Sequence, residues 1–232
     1  MISFSQFLAD LTNPALAFLP KALLVAVLSA LVCGVIGTHV VLRGMAFIGD
    51  AVAHAVFPGL AIAFALQFSV IAGGALAGAV VALLIALFSQ RRRVKEDTII
   101  GIFFAAAFAL GLVVISKVQG YTASLNSFLF GSITGVSNED IIFSAVVGAV
   151  VIVAVATLHK EIVAVSVDRE TAAAMGIRVL LIDVVLYLAV TAAVVMSVRT
   201  VGNILVLALL ITPAATARLW TCLLYTSDAA DE

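Results

Sequence analysis

Charged side chains are scarce in this sequence: Asp, Glu, Lys and Arg together make up 11% of its 232 residues. Soluble domains usually carry about 25% charged residues. This scarcity, together with the 64% of hydrophobic residues, excludes an ordinary soluble domain. The formal net charge of −1 also excludes a general nucleic-acid binder, which needs a strongly basic surface. The composition therefore predicts an integral membrane protein, with the lipid bilayer as its surroundings.

Several sequence patterns that would indicate chemistry are also missing. Cys33 lies in an apolar run and Cys222 in the C-terminal tail, so there is neither a disulfide framework nor a CxxC metal site. No GxxxxGK[ST] phosphate-binding loop is present, so any use of ATP must come from another polypeptide. The HExxH pattern of zinc proteases is absent too, which argues against an intramembrane metalloenzyme. We therefore expect no catalytic residues.

Long apolar runs fill most of the chain, and each approaches the about 20 residues that a membrane-spanning helix needs. We predict an all-α polytopic helix bundle of about seven spans in residues 1–219. The predicted spans are 20–42, 45–67, 69–89, 98–116, 141–158, 179–198 and 200–217. An apolar island at 127–131 is too short to cross, which indicates a short helix or a re-entrant segment. In the third span, Gly74 and Gly78 would permit close helix contact, although glycine is also ordinary in membrane helices.

The basic residues predict the orientation of these spans. With the QRRRVKED loop (residues 90–97) in the cytoplasm, nine of the 12 Lys and Arg residues fall inside. Only Lys21, Lys117 and Arg199 fall outside. Because basic residues concentrate in cytoplasmic loops, this asymmetry places the N-terminus outside and the connection 159–178 inside.

Two polar residues interrupt the second predicted span. Asp50 and His54 are four residues apart, so in a helix they share one face, about 6 Å apart along the axis. A charged side chain at mid-bilayer costs roughly 2.5–3.5 kcal/mol on insertion scales, which makes an intramembrane Asp a functional-site hypothesis. Taken singly, each residue is more often a locally hydrogen-bonded group. As a pair of oxygen and nitrogen donors, they favour a site for a divalent metal such as zinc or manganese.

A short helix is predicted in the inside connection, within VDRETAAAMGI (residues 167–177). Asp168 is suited to cap its N-terminus, and Gly176 is a natural C-terminal stop. The helix between them has about two turns, too few to be stable alone, so it must rest on something else. Docking to a cytoplasmic partner and resting on lipid headgroups both satisfy this requirement.

Four segments carry a family resemblance. They are VVLRGMAFIGDAVAHAVFPGLA (40–61), FLFGSITGVSNED (128–140), VDRETAAAMGI (167–177) and VGNILVLALLITPAATARL (201–219). In order and spacing over residues 15–219, they resemble the permease subunit of bacterial ATP-binding cassette importers for manganese, zinc or iron, the ABC-3 type metal permeases.

The resemblance implies a non-catalytic permease of the bacterial cytoplasmic membrane that passes a divalent metal transiently and holds no permanent cofactor. A second permease copy forms the pore as a homodimer, two ATPase subunits dock in the cytoplasm, and an extracytoplasmic metal-binding protein delivers the ion. In such a permease Asp50 and His54 line the path and can coordinate the metal. The family's ATPase-coupling helix maps onto Asp168, Arg169, Glu170, Ala172, Ala173 and Gly176.

Two alternatives stay open at this point. A permease for a metal chelate, siderophore-like or cobalamin-like, shares the same plan but would not require a carboxylate–histidine pair. Between the two ions, the carboxylate slightly favours manganese, while zinc accepts the same donors.

The family normally continues through further membrane helices after TPAATARL, whereas residues 220–232 form a polar, acidic tail. We read that tail as a truncation or a joined foreign sequence.

Overall fold

The computed structural model describes residues 6, 10–13, 16–45, 47–90, 94–117, 131–132 and 135–220. The regular structure in these ranges is helical, as the apolar runs predict, and no strand forms within them. Most of the predicted island at 127–131 and the tail after Trp220 lie outside the described residues. The helices are α1 (Phe18–Leu42), α2 (Ile48–Ala65), α3 (Val70–Ser89), α4 (Glu96–Lys117), α5 (Asn138–Thr157), α6 (His159–Val167), α7 (Arg169–Ala174), α8 (Val179–Val201) and α9 (Asn203–Trp220).

Five of the described helices, α1, α3, α4, α5 and α8, are long and apolar enough to cross a membrane. The other two predicted spans correspond to the shorter apolar helices Ile48–Phe64 and Ile204–Leu219. For the second span the sequence predicts 45–67, whereas α2 occupies less of it. The helix is shorter because a turn precedes it and Gln67, with a φ of 56°, follows its end.

Helix α8 lies at the centre of the bundle and packs against α1, α2, α3, α5 and α9. Its Leu186, Tyr187 and Val190 are fully buried. A helix that is largely apolar on every side is expected in an interior, and α8 also buries Asp183, Thr191 and Ser197. The outer helices instead expose large apolar side chains, for example Leu110 of α4 and Val150 of α5. Extended apolar surface of this kind suits contact with lipid.

Small residues bring α3 close to its neighbours. A Cβ atom added to Gly59 of α2 would lie 2.3 Å from the backbone oxygen of Gly73. A Cβ atom at Gly74 would lie 2.8 Å from a side-chain atom of α2, and one at Gly78 would lie 2.8 Å from Thr191 of α8. The close contact predicted for Gly74 and Gly78 is therefore confirmed, with α2 and α8 as the partners.

The connection 159–178 is more regular than the sequence predicts. Besides the expected short helix it contains α6, which buries Ile162 and Val165. Most helical stability in proteins comes from packing of an apolar face rather than from propensity. The sequence does not predict α6, because charged residues surround its short apolar face.

Candidate functional site

The chain enters α2 through a tight turn. The amides of Gly44 and Met45 donate to carbonyl groups in the last turn of α1, which is the Schellman pattern. Gly44 has a φ of +68°, which glycine adopts without strain. Because α2 then begins only at Ile48, Asp50 lies in the first turn of the helix rather than in the middle of a span. The backbone dipole at a helix N-terminus stabilises a carboxylate there.

Asp50 and His54 share one face of α2, as their spacing predicts. The Oδ1 atom of Asp50 is 3.2 Å from Nδ1 of His54. The same nitrogen lies 2.9 Å from the backbone oxygen of Asp50. The side chains of His54 and Asp50 are 25% and 34% exposed, so the pair is partly buried yet reachable. Since Nδ1 faces Asp50, Nε2 is the imidazole nitrogen that this pair leaves for a metal, an arrangement common around metal-binding histidines.

Two phenylalanines of α4 hold the imidazole ring. The ring centroid of His54 lies 4.9 Å from that of Phe104 and 5.2 Å from that of Phe108, with both contacts edge-on. The two phenyl rings are nearly parallel, with an interplanar angle of 7°. These contacts restrict the imidazole plane and so the direction of Nε2. Sequence reasoning missed both residues, although two aromatic side chains four apart on a helix are a readable signal.

Pro58 leaves a backbone oxygen of the same helix without its usual donor. It lies inside α2, four residues after His54. Because proline has no N–H, it cannot donate the helical hydrogen bond to the carbonyl oxygen of His54. In membrane proteins, carbonyl groups released from helical bonding can coordinate cations. A carboxylate, an imidazole and a released carbonyl group therefore come from adjacent turns of α2.

The pair does not form a complete metal site by itself. Within the described residues, no three His, Cys, Asp or Glu side chains lie close enough together to hold one metal ion. A zinc ion takes four ligands, and manganese accepts oxygen-rich sets. Any metal at Asp50 and His54 thus needs additional donors beyond these two side chains.

The short helix α7 has the caps that the sequence predicts. The carboxylate of Asp168 accepts hydrogen bonds from the amides of Glu170 and Thr171, at 2.8 and 3.2 Å. At the other end Gly176 has a φ of +84°, and the amides that follow the helix close a second Schellman motif. The observed length is 6 residues, which agrees with the about two turns expected.

The residues of α7 divide between the bundle and the surface. Ala172 is 1% exposed and belongs to the hydrophobic core, whereas Glu170 and Ala173 are exposed. Arg169 turns inward and pairs with two carboxylates of the bundle. Arg169 and Ala172 therefore fasten the helix to the rest of the chain, and Glu170 and Ala173 remain as its outer surface.

Helices able to cross a membrane, packed around a partly buried polar pair, define a multi-pass membrane protein with a site among its helices. The chain belongs to the ABC 3 transport family, whose sequence model matches residues 15–226. The predicted resemblance is confirmed, and with it a place in the bacterial cytoplasmic membrane.

Individual relatives agree with the family. The manganese transport system membrane protein MntC of Halalkalibacterium halodurans is 42% identical over 205 residues, covering 88% of this chain and 70% of the relative. The chelated iron transport system membrane protein YfeC of Yersinia pestis is 34% identical over 204 residues, covering 88% and 69%. Among solved structures, PsaBC from Streptococcus pneumoniae in complex with Fab has a chain that matches with a TM-score of 0.78 and 34% identity. That match covers 94% of this chain and 77% of the other.

Proposed function

We propose that this chain is the permease subunit of an ATP-binding cassette importer and moves a divalent transition metal ion across the cytoplasmic membrane. The observation that carries the proposal is the Asp50–His54 pair. Its Nδ1–Oδ1 distance of 3.2 Å, in a helix otherwise built from apolar residues, supplies oxygen and nitrogen donors on one face. Polar groups among membrane helices mark ion pathways by default.

The pore in this proposal needs two copies of the chain. One copy provides two ligating side chains and the released carbonyl group of His54, so a homodimer brings a mixed oxygen and nitrogen set to the interface. The two shorter apolar helices, α2 and α9, cross the membrane with the five longer ones and bring the number of spans to seven. The partly exposed face of Asp50 and His54 is then covered by the second copy.

The remaining partners are proposed from the missing phosphate-binding loop and from the exposed surface of α7. Since the sequence contains no phosphate-binding loop, ATP is hydrolysed by separate cytoplasmic subunits. These dock on the outer surface of α7, at Glu170 and Ala173. An extracytoplasmic metal-binding protein delivers the ion from the other side, and the chain itself keeps no permanent cofactor.

Manganese is the ion we propose first. The MntC relative at 42% identity is named for manganese transport, and an oxygen-rich set suits that ion. Zinc accepts the same donors and is the second ion.

A metal chelate is the alternative cargo, because the YfeC relative is named for chelated iron transport. A chelate arrives with its ligands already bound to the metal, so it would not use the Asp50–His54 pair. The two cargoes therefore differ in whether these side chains are needed.

Uptake by cells expressing the importer with each variant tests the proposal. We expect His54→Ala and Asp50→Ala each to abolish uptake of radioactive manganese while the protein still inserts in the membrane. His159→Ala, a change at an exposed histidine outside the pair, should retain the parental rate. Parental uptake by either site variant would overturn the ligand assignment, and uptake of a metal chelate but not of the free ion would favour the alternative.

A further inference from the structure

Four charged side chains meet at one end of the bundle, and the metal site does not use them. Arg43, Glu96, Arg169 and Asp183 are here called the charge network. In α8, Oδ1 of Asp183 accepts a hydrogen bond from Nη1 of Arg43 at 2.6 Å, and Oδ2 accepts from Arg169. Arg169 also pairs with Glu96 at the start of α4. Two guanidinium groups and two carboxylates thus form a connected chain without net charge.

The charge network is buried at one end and partly exposed at the other. The side chains of Arg43 and Asp183 are 3% and 0% exposed, whereas those of Arg169 and Glu96 are 29% and 22% exposed. A cavity of about 520 Å³ is lined by Arg169 and Glu96 of the outer pair, and Arg43 also borders it. Breaking the inner pair would leave a buried charge unpaired, while the outer pair can exchange its partner for water. The inner pair is therefore expected to stay together, whereas the outer pair can exchange partners.

Through Asp183, the charge network connects α7 with the segment that leads into α2. Arg169 is the first residue of α7, and Arg43 directly follows α1 in the turn before α2. A guanidinium group offers a rigid, planar fork of donors, so its bonds fix direction as well as distance. Buried ion pairs contribute little net stability compared with apolar residues of the same volume. Stability alone therefore does not explain why this chain buries Asp183.

Neutral side chains reinforce the same connection. The amide nitrogen of Gln90, at the end of α3, donates to Oδ2 of Asp183 at 2.9 Å. The Nε atom of Arg43 donates to the hydroxyl group of Ser166 in α6 at 3.1 Å. Both bonds keep Arg43 and Asp183 in one arrangement relative to each other, so the two side chains are expected to move together.

We propose that Asp183 is the joint through which a movement of α7 reaches the start of α2. Arg169 connects α7 to Asp183, and Arg43 connects Asp183 to the turn before α2. The inference rests on the proposed function, in which an ATPase subunit moves α7. When α7 is displaced, Arg169 draws Oδ2 of Asp183 while Oδ1 keeps Arg43, so the turn before α2 shifts. Asp50 and His54 then move relative to α4. Arg43, Arg169 and Asp183 are positioning residues, since they act on the metal pair through α2.

The first test compares two arginines of the same connection in the importer assembled with its ATPase subunit. Arg169→Gln removes the ion pair between α7 and Asp183. Arg178→Gln is the control, because it removes an exposed arginine outside the charge network. We expect Arg169→Gln to retain the ATPase subunit and ATP hydrolysis but to lower manganese uptake per ATP about tenfold, within the roughly 5–150-fold range of coupling between sites. Arg178→Gln should match the parent, and Arg169→Lys should be intermediate. Parental uptake per ATP in Arg169→Gln, or an equal loss in Arg178→Gln, would overturn the joint.

The second test separates coupling from folding. Replacing the inner pair together, by Arg43→Met with Asp183→Leu, leaves no buried charge unpaired and should preserve or raise thermal stability. We expect the same loss of uptake per ATP as in Arg169→Gln. Adding Arg169→Gln to this double variant should then cause no further loss, because residues acting in one path are not additive. If adding Arg169→Gln lowered uptake per ATP further, by the factor that it causes alone, the three residues would not share one joint.

A third measurement does not depend on the metal. Phe47, just before α2, is 62% exposed, so Phe47→Cys in a Cys33→Ala, Cys222→Ala background reports on the turn. ATP should change the maleimide labelling rate in the parent and leave it unchanged in Arg169→Gln. If metal uptake fails but this difference persists, the proposed cargo is wrong and the joint stands. If both proteins respond equally to ATP, the joint is wrong whatever the cargo.

Discussion

At the scale of single residues, the candidate site depends on which donor atoms of α2 remain available to a metal ion. Asp50 occupies Nδ1 of His54, and the phenyl rings of α4 restrict the imidazole plane. Pro58 withholds an N–H from the carbonyl oxygen of His54. Orientation of the nitrogen and release of the oxygen are therefore both properties of α2 and its contact with α4, and neither needs a bound metal.

Glycine contacts between α2 and α3 give a prediction at this scale. Gly59→Ala should destabilise the protein by about 1–3 kcal/mol, because its Cβ atom would meet the backbone of α3 at 2.3 Å. Gly101→Ala is the matched control, since a Cβ atom there has nothing within 4 Å. It should be neutral or stabilising by roughly 0.5–1 kcal/mol, as expected for glycine replaced in a helix. Thermal unfolding in detergent measures both, and equal midpoints would contradict the close packing.

At the scale of elements, the sequence predicts what is local. Apolar runs predict the long helices, and Asp168 and Gly176 predict the ends of α7, because caps act within a few residues. The pairing of Arg43 with Asp183 joins positions 140 apart along the chain, and no local pattern reveals such a contact. Asp183 did carry a readable signal, since an acidic residue in a predicted span indicates function by the rule applied to Asp50. What the rule cannot supply is the partner.

The burial of α7 leads to a prediction about this element. Ala172→Glu places a larger, charged side chain in the core, and overpacking alone costs about 1–3 kcal/mol. It should lower both the thermal stability of the permease and its recovery with the ATPase subunit. Ala173→Glu changes the exposed surface, so it should lower recovery of the ATPase subunit while stability stays at the parental value.

Pull-down of the ATPase subunit, paired with thermal unfolding of each variant, separates these effects. Full recovery of the ATPase subunit with Ala173→Glu would remove the outer surface of α7 from the docking interface. α7 would then remain a helix held to the bundle by Arg169 and Ala172 alone.

At the scale of the whole molecule, one predicted orientation relates the Asp50–His54 pair, the charge network and α7. The excess of basic residues predicts that the connection between α3 and α4 lies in the cytoplasm, on the side of α7. Glu96 in that region contacts Arg169, so the structure keeps the two segments on one side of the bundle. An ATPase subunit that docks on α7, as proposed, would therefore also lie beside the connection between α3 and α4.

The orientation is tested at the two ends of α3. Val94 and Phe68 are 46% and 65% exposed and lie beyond opposite ends of that helix. With Cys33 and Cys222 replaced by Ala, Phe68→Cys should react with a membrane-impermeant maleimide in intact cells, because its turn is predicted to face outward. Val94→Cys should react only after the membrane is opened, since the connection between α3 and α4 is predicted to face the cytoplasm. Both variants should react fully in detergent, which controls for local accessibility. The reverse pattern in intact cells would invert the topology and place α7 outside, out of reach of any cytoplasmic ATPase.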